Sequence, residues 1–120
     1  MLENNDEPVV TPIFSPEKIK ELNQLMVDKV KEVMRLQDEG ELPCASRLPR
    51  CHVERKDIME ILNKSSAQAG RIMAHVRKDR NKKEGQLVSV KDFCVATGLD
   101  EHTVQRALDM CPMMHMLGHA

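Results

Sequence analysis

The sequence predicts an all-α protein in which an N-terminal helix is followed by tandem helix-turn-helix units. Three observations support this fold class. Apolar residues recur every three or four positions after residue 15, the chain repeats itself weakly at an offset of 35 residues, and two short amphipathic stretches are broken at Asn63 and Gly98. A length of 120 residues suits one compact domain and excludes two large ones.

The first predicted element is a helix over residues 15–40, after a disordered or extended lead at residues 1–14. Ser15 supplies an N-cap, Pro16 suits the first helical position, and Gly40 ends the segment. The helix carries an apolar stripe at helical spacing, which consists of Ile19, Leu22, Met26, Val30 and Val33.

This stripe favours a homodimer through the N-terminal helix, because a single helix-turn-helix often needs a second half-site. Lys29 stands where a coiled coil requires an apolar residue, so a looser helical dimer is the better prediction. Ordinary packing of the helix onto the chain's own core is the alternative.

A linker and a first short helix pair follow. Residues 41–53 contain Pro43 and Pro49 and show no apolar period, which predicts a linker. Helices at about 54–62 and 66–80 come next, and we call this pair the first unit.

The second unit is a similar helix pair at about 90–97 and 101–109. Residues 86–89 before it predict no more than an irregular strand or an extended lead-in. Pro112 is expected to end the last helix, which leaves residues 110–120 as a C-terminal tail.

The 35-residue offset aligns the turns of the two units and places Asn63 opposite Gly98 and Arg71 opposite Arg106. Glycine suits the left-handed conformation that such a turn needs, and asparagine is the next-best residue. Both units therefore fit a helix-turn-helix, over residues 54–109 together.

At this point the chain resembles small bacterial helix-turn-helix proteins of the transcription-regulator and mobile-element accessory type. The resemblance covers residues 54–109 and departs from the pattern at Lys64, where an apolar residue is usual, and at Met59, where a small one is usual. It implies sequence-specific binding of double-stranded DNA, in transcription regulation or in an accessory role for a mobile element.

The charge distribution supports a polyanionic partner for the middle of the chain. Residues 1–42 hold five basic and ten acidic groups, residues 43–91 twelve and five, and residues 92–120 one and four. Salt screens electrostatic interactions over about 10 Å, so a basic segment can act on a nearby partner independently of acidic segments farther away. The middle third can thus attract DNA although the whole chain carries a net charge of −1.

The helix that begins near Ser66 is the predicted DNA reader, since the matching helix of the second unit starts with Asp100 and Glu101, which phosphates would repel. Serines at the helix start can donate to phosphate, residues one turn on can reach base edges, and later basic residues can follow the backbone. The basic residues at 77–83 have a plainer interpretation: they are solvated, and their positive charges complement the dipole at the C-terminal end of the helix. The candidate DNA-binding residues are Ser65, Ser66, Gln68, Arg71, His75, Arg77, Lys78, Arg80, Lys82 and Lys83.

Other classes of protein are disfavoured. The sequence shows no Gly-rich phosphate loop, nucleophile elbow or paired-carboxylate spacing, so we expect no enzyme, no cofactor and no metal site. It has no long apolar run and an acidic start, which predicts a cytoplasmic protein away from the membrane with reduced cysteines, among them a buried, inert Cys94. The rival prediction is a helical protein-protein interaction module without DNA binding.

Overall fold

A computed structural model describes residues 13–42, 50–83 and 85–114 of the chain. The described residues form five helices and a two-stranded antiparallel ribbon, which confirms the all-α prediction. The elements in chain order are α1 (Pro16–Asp38), β1 (His52–Val53), α2 (Arg55–Leu62), α3 (Ser66–Asp79), β2 (Val88–Ser89), α4 (Val90–Thr97) and α5 (Glu101–Met114). Most of the predicted lead, the middle of the predicted linker and the end of the predicted tail lie outside the described residues.

The second unit repeats the first almost residue for residue. Helices α4 and α5 begin and end 35 positions after α2 and α3, respectively. The turns also match, because Asn63 and Gly98 are both left-handed, with φ of 54° and 82°. The weak sequence repeat is thus a repeat of the backbone.

The two units meet at the ribbon. Val53 pairs with Val88 in antiparallel register, and these two residues are themselves 35 positions apart. Two residues that face each other in an antiparallel pair are related by a local two-fold axis. Because Val53 and Val88 are equivalent residues of the two units, this axis relates the units by an approximate half-turn at the ribbon. Both valines are buried, which anchors the ribbon in the core.

Capping boxes start the first helix of each unit. Glu54 and Ser89 are the N-caps, and Asp57 and Asp92, three residues later, accept from the N-cap backbone N–H groups. Asp57 is buried and forms an ion pair of 2.6 Å with Arg50. The charge of this buried carboxylate is therefore paired.

Helix α1 lies against α5 and α2 of its own chain. Its residues Leu22, Met26, Val30 and Val33 are buried in the core, and Met26 has no exposed surface. The reason for expecting a homodimer through this stripe was therefore wrong, because the chain itself already covers it. Ordinary packing, the alternative, is what the structure adopts.

Polar groups of α1 hold the turns of both units. The Lys29 ammonium donates to the Glu60 carbonyl oxygen and to Asn63 Oδ1, at the end of α2. Asn23 Oδ1 accepts from the Asp100 backbone N–H at 3.1 Å, just before α5. Lys29, which disrupts the apolar pattern, thus serves as a cap for another helix.

Two predicted boundaries need correction. The predicted linker at residues 41–53 ends as strand β1, because Val53 is buried in the core and pairs with β2. Helix α5 continues through Pro112 to Met114, so the predicted tail begins inside a helix. Proline cannot donate the helical hydrogen bond, but burial of Met113 and Met114 favours keeping the last turn helical.

We expect Gly98→Ala to destabilise the fold by more than Gly40→Ala. Both glycines have positive φ, which costs a side chain about 1 kcal/mol, but a Cβ at Gly98 would lie 2.8 Å from Ile19 Cδ1, whereas one at Gly40 meets nothing within 4 Å. Urea denaturation measures both. In an Ile19→Val background the two penalties should become similar, and equal penalties in the parent would contradict the proposed contact.

Met26→Glu should destabilise the single chain by about 3 kcal/mol or more, because it buries an unpaired carboxylate. Met34→Glu on the same helix should have little effect, since Met34 is 41% exposed. Denaturation and sedimentation together test this pair. A folded Met26→Glu protein of half the parental mass would mean that the stripe is an intermolecular surface after all.

Candidate nucleic-acid interface

One side of α3 belongs to the core and the opposite side faces solvent. Ala67, Arg71, Ala74 and Lys78 follow one another at steps of four, three and four and are all exposed. We call these four residues the outer stripe of α3. The buried side of the helix consists of Ala69, Ile72, Met73 and Val76.

Two predicted contacts at the start of α3 are engaged in its capping box. Ser65 Oγ accepts from the Gln68 backbone N–H at 3.1 Å, and Gln68 Oε1 accepts from the Ser65 backbone N–H at 3.0 Å. A glutamine needs both its oxygen and its nitrogen for a bidentate contact to adenine. The cap holds the oxygen, so Gln68 keeps only its Nε2 donors for a partner.

Four of the predicted residues remain open. Ser66, Arg71, Lys78 and Lys83 are exposed, and none of their side chains has a hydrogen bond or ion pair within the described part of the chain. Arg71 lies in the middle of the outer stripe and Lys78 about two turns farther along it. These two cations define the polar character of the stripe.

Arg80 and Lys82 contact a carboxylate of the second unit. Arg80 Nε and Lys82 Nζ each lie 3.3 Å from an oxygen of Asp92, at the start of α4. Burial opposes the charge of Asp92, but hydrogen bonds from Ser89, Arg80 and Lys82 outweigh it and hold the pKa of this carboxyl below its usual range. Arg80 and Lys82, which were predicted to follow the DNA backbone, are thus paired with Asp92 within the chain.

His75 and Arg77 are partly buried and do not extend from the outer stripe. The Nε2 atom of His75 and the Nε atom of Arg77 are inaccessible to solvent and have no hydrogen-bond partner among the described residues. His75 is therefore a poor candidate for a phosphate contact. Arg77 instead lines a cleft beside α3.

Sequence reasoning missed Arg55, at the first position of α2. Its Nε donates to the Ser66 backbone carbonyl at 3.0 Å, and its guanidinium lies over Gly70, where a Cβ would approach Nη2 to 2.8 Å. The available signal was Gly70 itself, because a glycine inside a helix often marks the close approach of another group. Arg55 brings a further positive charge to the first turns of α3.

The second unit has no comparable open stripe. The positions equivalent to the outer stripe are His102, Arg106, Asp109 and Met113 of α5. Arg106 contacts Met34 Sδ at 3.2 Å, Asp109 accepts from the Arg50 backbone N–H at 3.1 Å, and Met113 is buried. His102 and Arg106 stay exposed, but Arg106 is held against α1 and the other two positions are engaged or buried, so α5 presents no continuous stripe like that of α3.

The described cysteines fall into two classes. Burial, followed by the charges of nearby carboxylates, raises the pKa of both Cys94 and Cys111 to about 12, while Cys51 is exposed. The prediction of a buried Cys94 is confirmed, and a thiol with so high a pKa is a poor nucleophile. Within residues 13–42, 50–83 and 85–114, His, Cys, Asp and Glu form no group suited to a metal ion.

No helix in the described part of the chain is both long and apolar enough to cross a membrane. Comparisons with family models, with curated proteins and with solved structures gave no match to this chain. The resemblance to helix-turn-helix proteins is therefore carried by the residues themselves and stays a prediction.

We expect Asp92→Asn to cost about 1 kcal/mol or less of stability at neutral pH, since it removes a partly solvated charge from Arg80 and Lys82. The folded pKa of Asp92 lies below the unfolded value, so its contribution is complete above about pH 4 and is lost as pH falls through the folded pKa. The stability of the Asp92→Asn variant should thus converge with that of the parent in acid. Asp38→Asn, in an exposed residue at the end of α1, is the control and should not lower stability at neutral pH, because it removes a negative charge from a helix C-terminus.

Proposed function

We propose that this protein binds double-stranded DNA sequence-specifically through α3, in transcription regulation or as an accessory of a mobile element. The observation that carries the proposal is the outer stripe of α3, where Arg71 and Lys78 are exposed and have no partner among the described residues, while Arg106 and Asp109 at the equivalent positions of α5 contact other parts of the chain. The basic middle third of the sequence supports the same choice of helix.

The outer stripe suits the major groove in size and chemistry. Ala67 and Ala74 are small and let the helix backbone approach the bases, and Arg71 between them is long enough to donate to both acceptors on a guanine edge. Ser66, Lys78 and Lys83 are placed around it for phosphate contacts, which orient the protein without reading sequence. Gln68 contributes at most through its nitrogen.

A homodimer on two half-sites belongs to the same proposal, as does a cytoplasmic location. The dimer surface is not the buried stripe around Met26, because that stripe lies within the core of one chain. A second copy would have to use the exposed remainder of the molecule.

One observation favours the second candidate function, a helical module that binds another protein. An open groove of about 400 Å³ lies between α1 and α5, with a largely apolar lining that includes Val27, Val30 and the exposed Met34. Apolar grooves between helices receive amphipathic partner helices in many complexes. Binding there should depend little on salt, whereas DNA binding should fall steeply as salt rises.

Arg71→Ala should weaken binding to a duplex selected from a random pool by about 1–3 kcal/mol while leaving binding to unrelated DNA nearly unchanged, because base contacts carry the discrimination. Fluorescence anisotropy at two salt concentrations measures both affinities. Arg106→Ala is the matched control, since it removes the same side chain at the equivalent position of α5, where Arg106 contacts Met34 of α1.

The result for the control decides between the two helices. Equal losses from Arg71→Ala and Arg106→Ala would contradict reading by α3 alone. Parental binding by both variants, with an affinity insensitive to salt, would instead favour the protein-interaction module.

A further inference from the structure

A cleft of about 440 Å³ runs beside α3, between this helix and the residues that lead into β2. Arg55 and Arg77 line it together with Gly70, Ala74 and Leu87. We propose that this cleft binds a backbone phosphate of the DNA, next to the groove that the outer stripe enters. The inference rests on the proposed function and assigns to Arg55 and Arg77 a contact distinct from base reading.

The position of Arg55 leaves its terminal nitrogens available. Its Nε is used by the Ser66 carbonyl, which fixes the plane of the guanidinium against the helix. Neither Nη atom has a hydrogen bond or an ion pair within the described ranges. A planar guanidinium held in this way presents parallel donors of the kind that phosphate oxygens accept.

Arg77 supplies a second positive charge in the cleft. Its Nε is buried and has no hydrogen-bond partner in the described part of the chain, and no carboxylate there forms an ion pair with it. Arg77 is partly buried, and an anion in the cleft would give this cation the counterion that the described residues do not supply.

The described acidic residue in the cleft does not neutralise these arginines. Glu54 also lines the cleft, but its carboxylate contacts His52 Nε2 at 3.0 Å and Lys56 Nζ at 3.5 Å. Hydrogen bonding to His52, partly opposed by burial, and the charge of Lys56 lower the pKa of Glu54. The carboxylate of Glu54 is thus already engaged by two other side chains.

The walls of the cleft are shaped for close approach. Gly70 has no side chain where the Arg55 guanidinium crosses the helix, and Ala74 presents only a methyl group. Ala74 also belongs to the outer stripe, so the cleft opens directly beside the surface proposed to enter the major groove. A DNA strand bordering that groove would pass the cleft with its phosphates facing the two arginines.

The first experiment removes the charges singly. Arg55→Gln and Arg77→Gln should each weaken all duplexes alike and reduce the slope of log affinity against log salt by about 0.9, the value for one lost phosphate contact. The selectivity that depends on Arg71 should remain. Lys91→Gln, at an exposed residue of α4 that does not line the cleft, is the charge-matched control and should alter neither quantity.

The second variant keeps every charge. Gly70→Ala should displace the Arg55 guanidinium, because the new Cβ would lie 2.8 Å from Nη2. Alanine is the better helix former, so thermal stability should not fall while duplex affinity does. This separation of binding from stability keeps the test valid even if Arg77→Gln is poorly folded.

The outcomes separate this inference from the proposed function. If the parent shows salt-dependent DNA binding while Arg55→Gln and Gly70→Ala behave like Lys91→Gln, the phosphate cleft is overturned and DNA binding by α3 stands. If the parent binds no duplex, the proposed function fails. Titration of the full chain with pyrophosphate, followed by NMR, then decides whether the cleft binds free phosphate compounds.

In that titration, amide shifts at Gly70 and Leu87 in the parent that are lost in Arg55→Gln would support the anion site with a free phosphate compound as its ligand. An absence of shifts in a parent that also binds no duplex would overturn the cleft as an anion site.

Discussion

The packing of α1 across the two helix-turn-helix units is the interaction on which the rest of the structure depends. This one helix places Lys29 on the turn at Asn63, Ile19 beside the turn at Gly98, and Asn23 on the N-terminus of α5. Its buried side completes the core that neither short unit could build alone. Burial also lowers the pKa of Lys29 despite the charge of Glu60, but its hydrogen bonds compensate for the lost hydration.

This packing makes two nearly identical backbones unequal. The units share helix lengths, caps and left-handed turns, yet α1 lies on α5 and leaves the outer stripe of α3 uncovered. The side chains follow the same division, with cations on the open helix and acidic residues at the start of the covered one. The asymmetry thus arises from where the additional helix packs, and the repeat itself is preserved.

The sequence was sufficient to predict the elements that depend on local patterns. Ser15 and Pro16 start α1, the stripe around Met26 is buried, and the 35-residue offset corresponds to a true structural repeat. The packing partner of this stripe was harder to predict, because periodicity shows that a helix face is buried and does not show what buries it. The extension of α5 through Pro112 was missed for a similar reason, since tertiary burial overrode a local helix breaker.

The candidate site shows the same limit. Charge and spacing located α3, but they could not indicate that Asp92 binds Arg80 and Lys82 or that the cap occupies Gln68, because these contacts depend on three-dimensional placement. Arg55 was missed because it precedes α3 by more than ten residues and reaches it only through the fold.

The two-residue ribbon determines how much the connection between the units can vary. Only Glu54 separates β1 from α2, and β2 leads directly into α4, so the Val53–Val88 pair sets where both units start. A slip of either strand by one residue would turn its valine away from the core, which keeps the register fixed. The turn between α3 and β2 does not set this register. Insertions there should lengthen a surface loop while the two units keep their relative orientation.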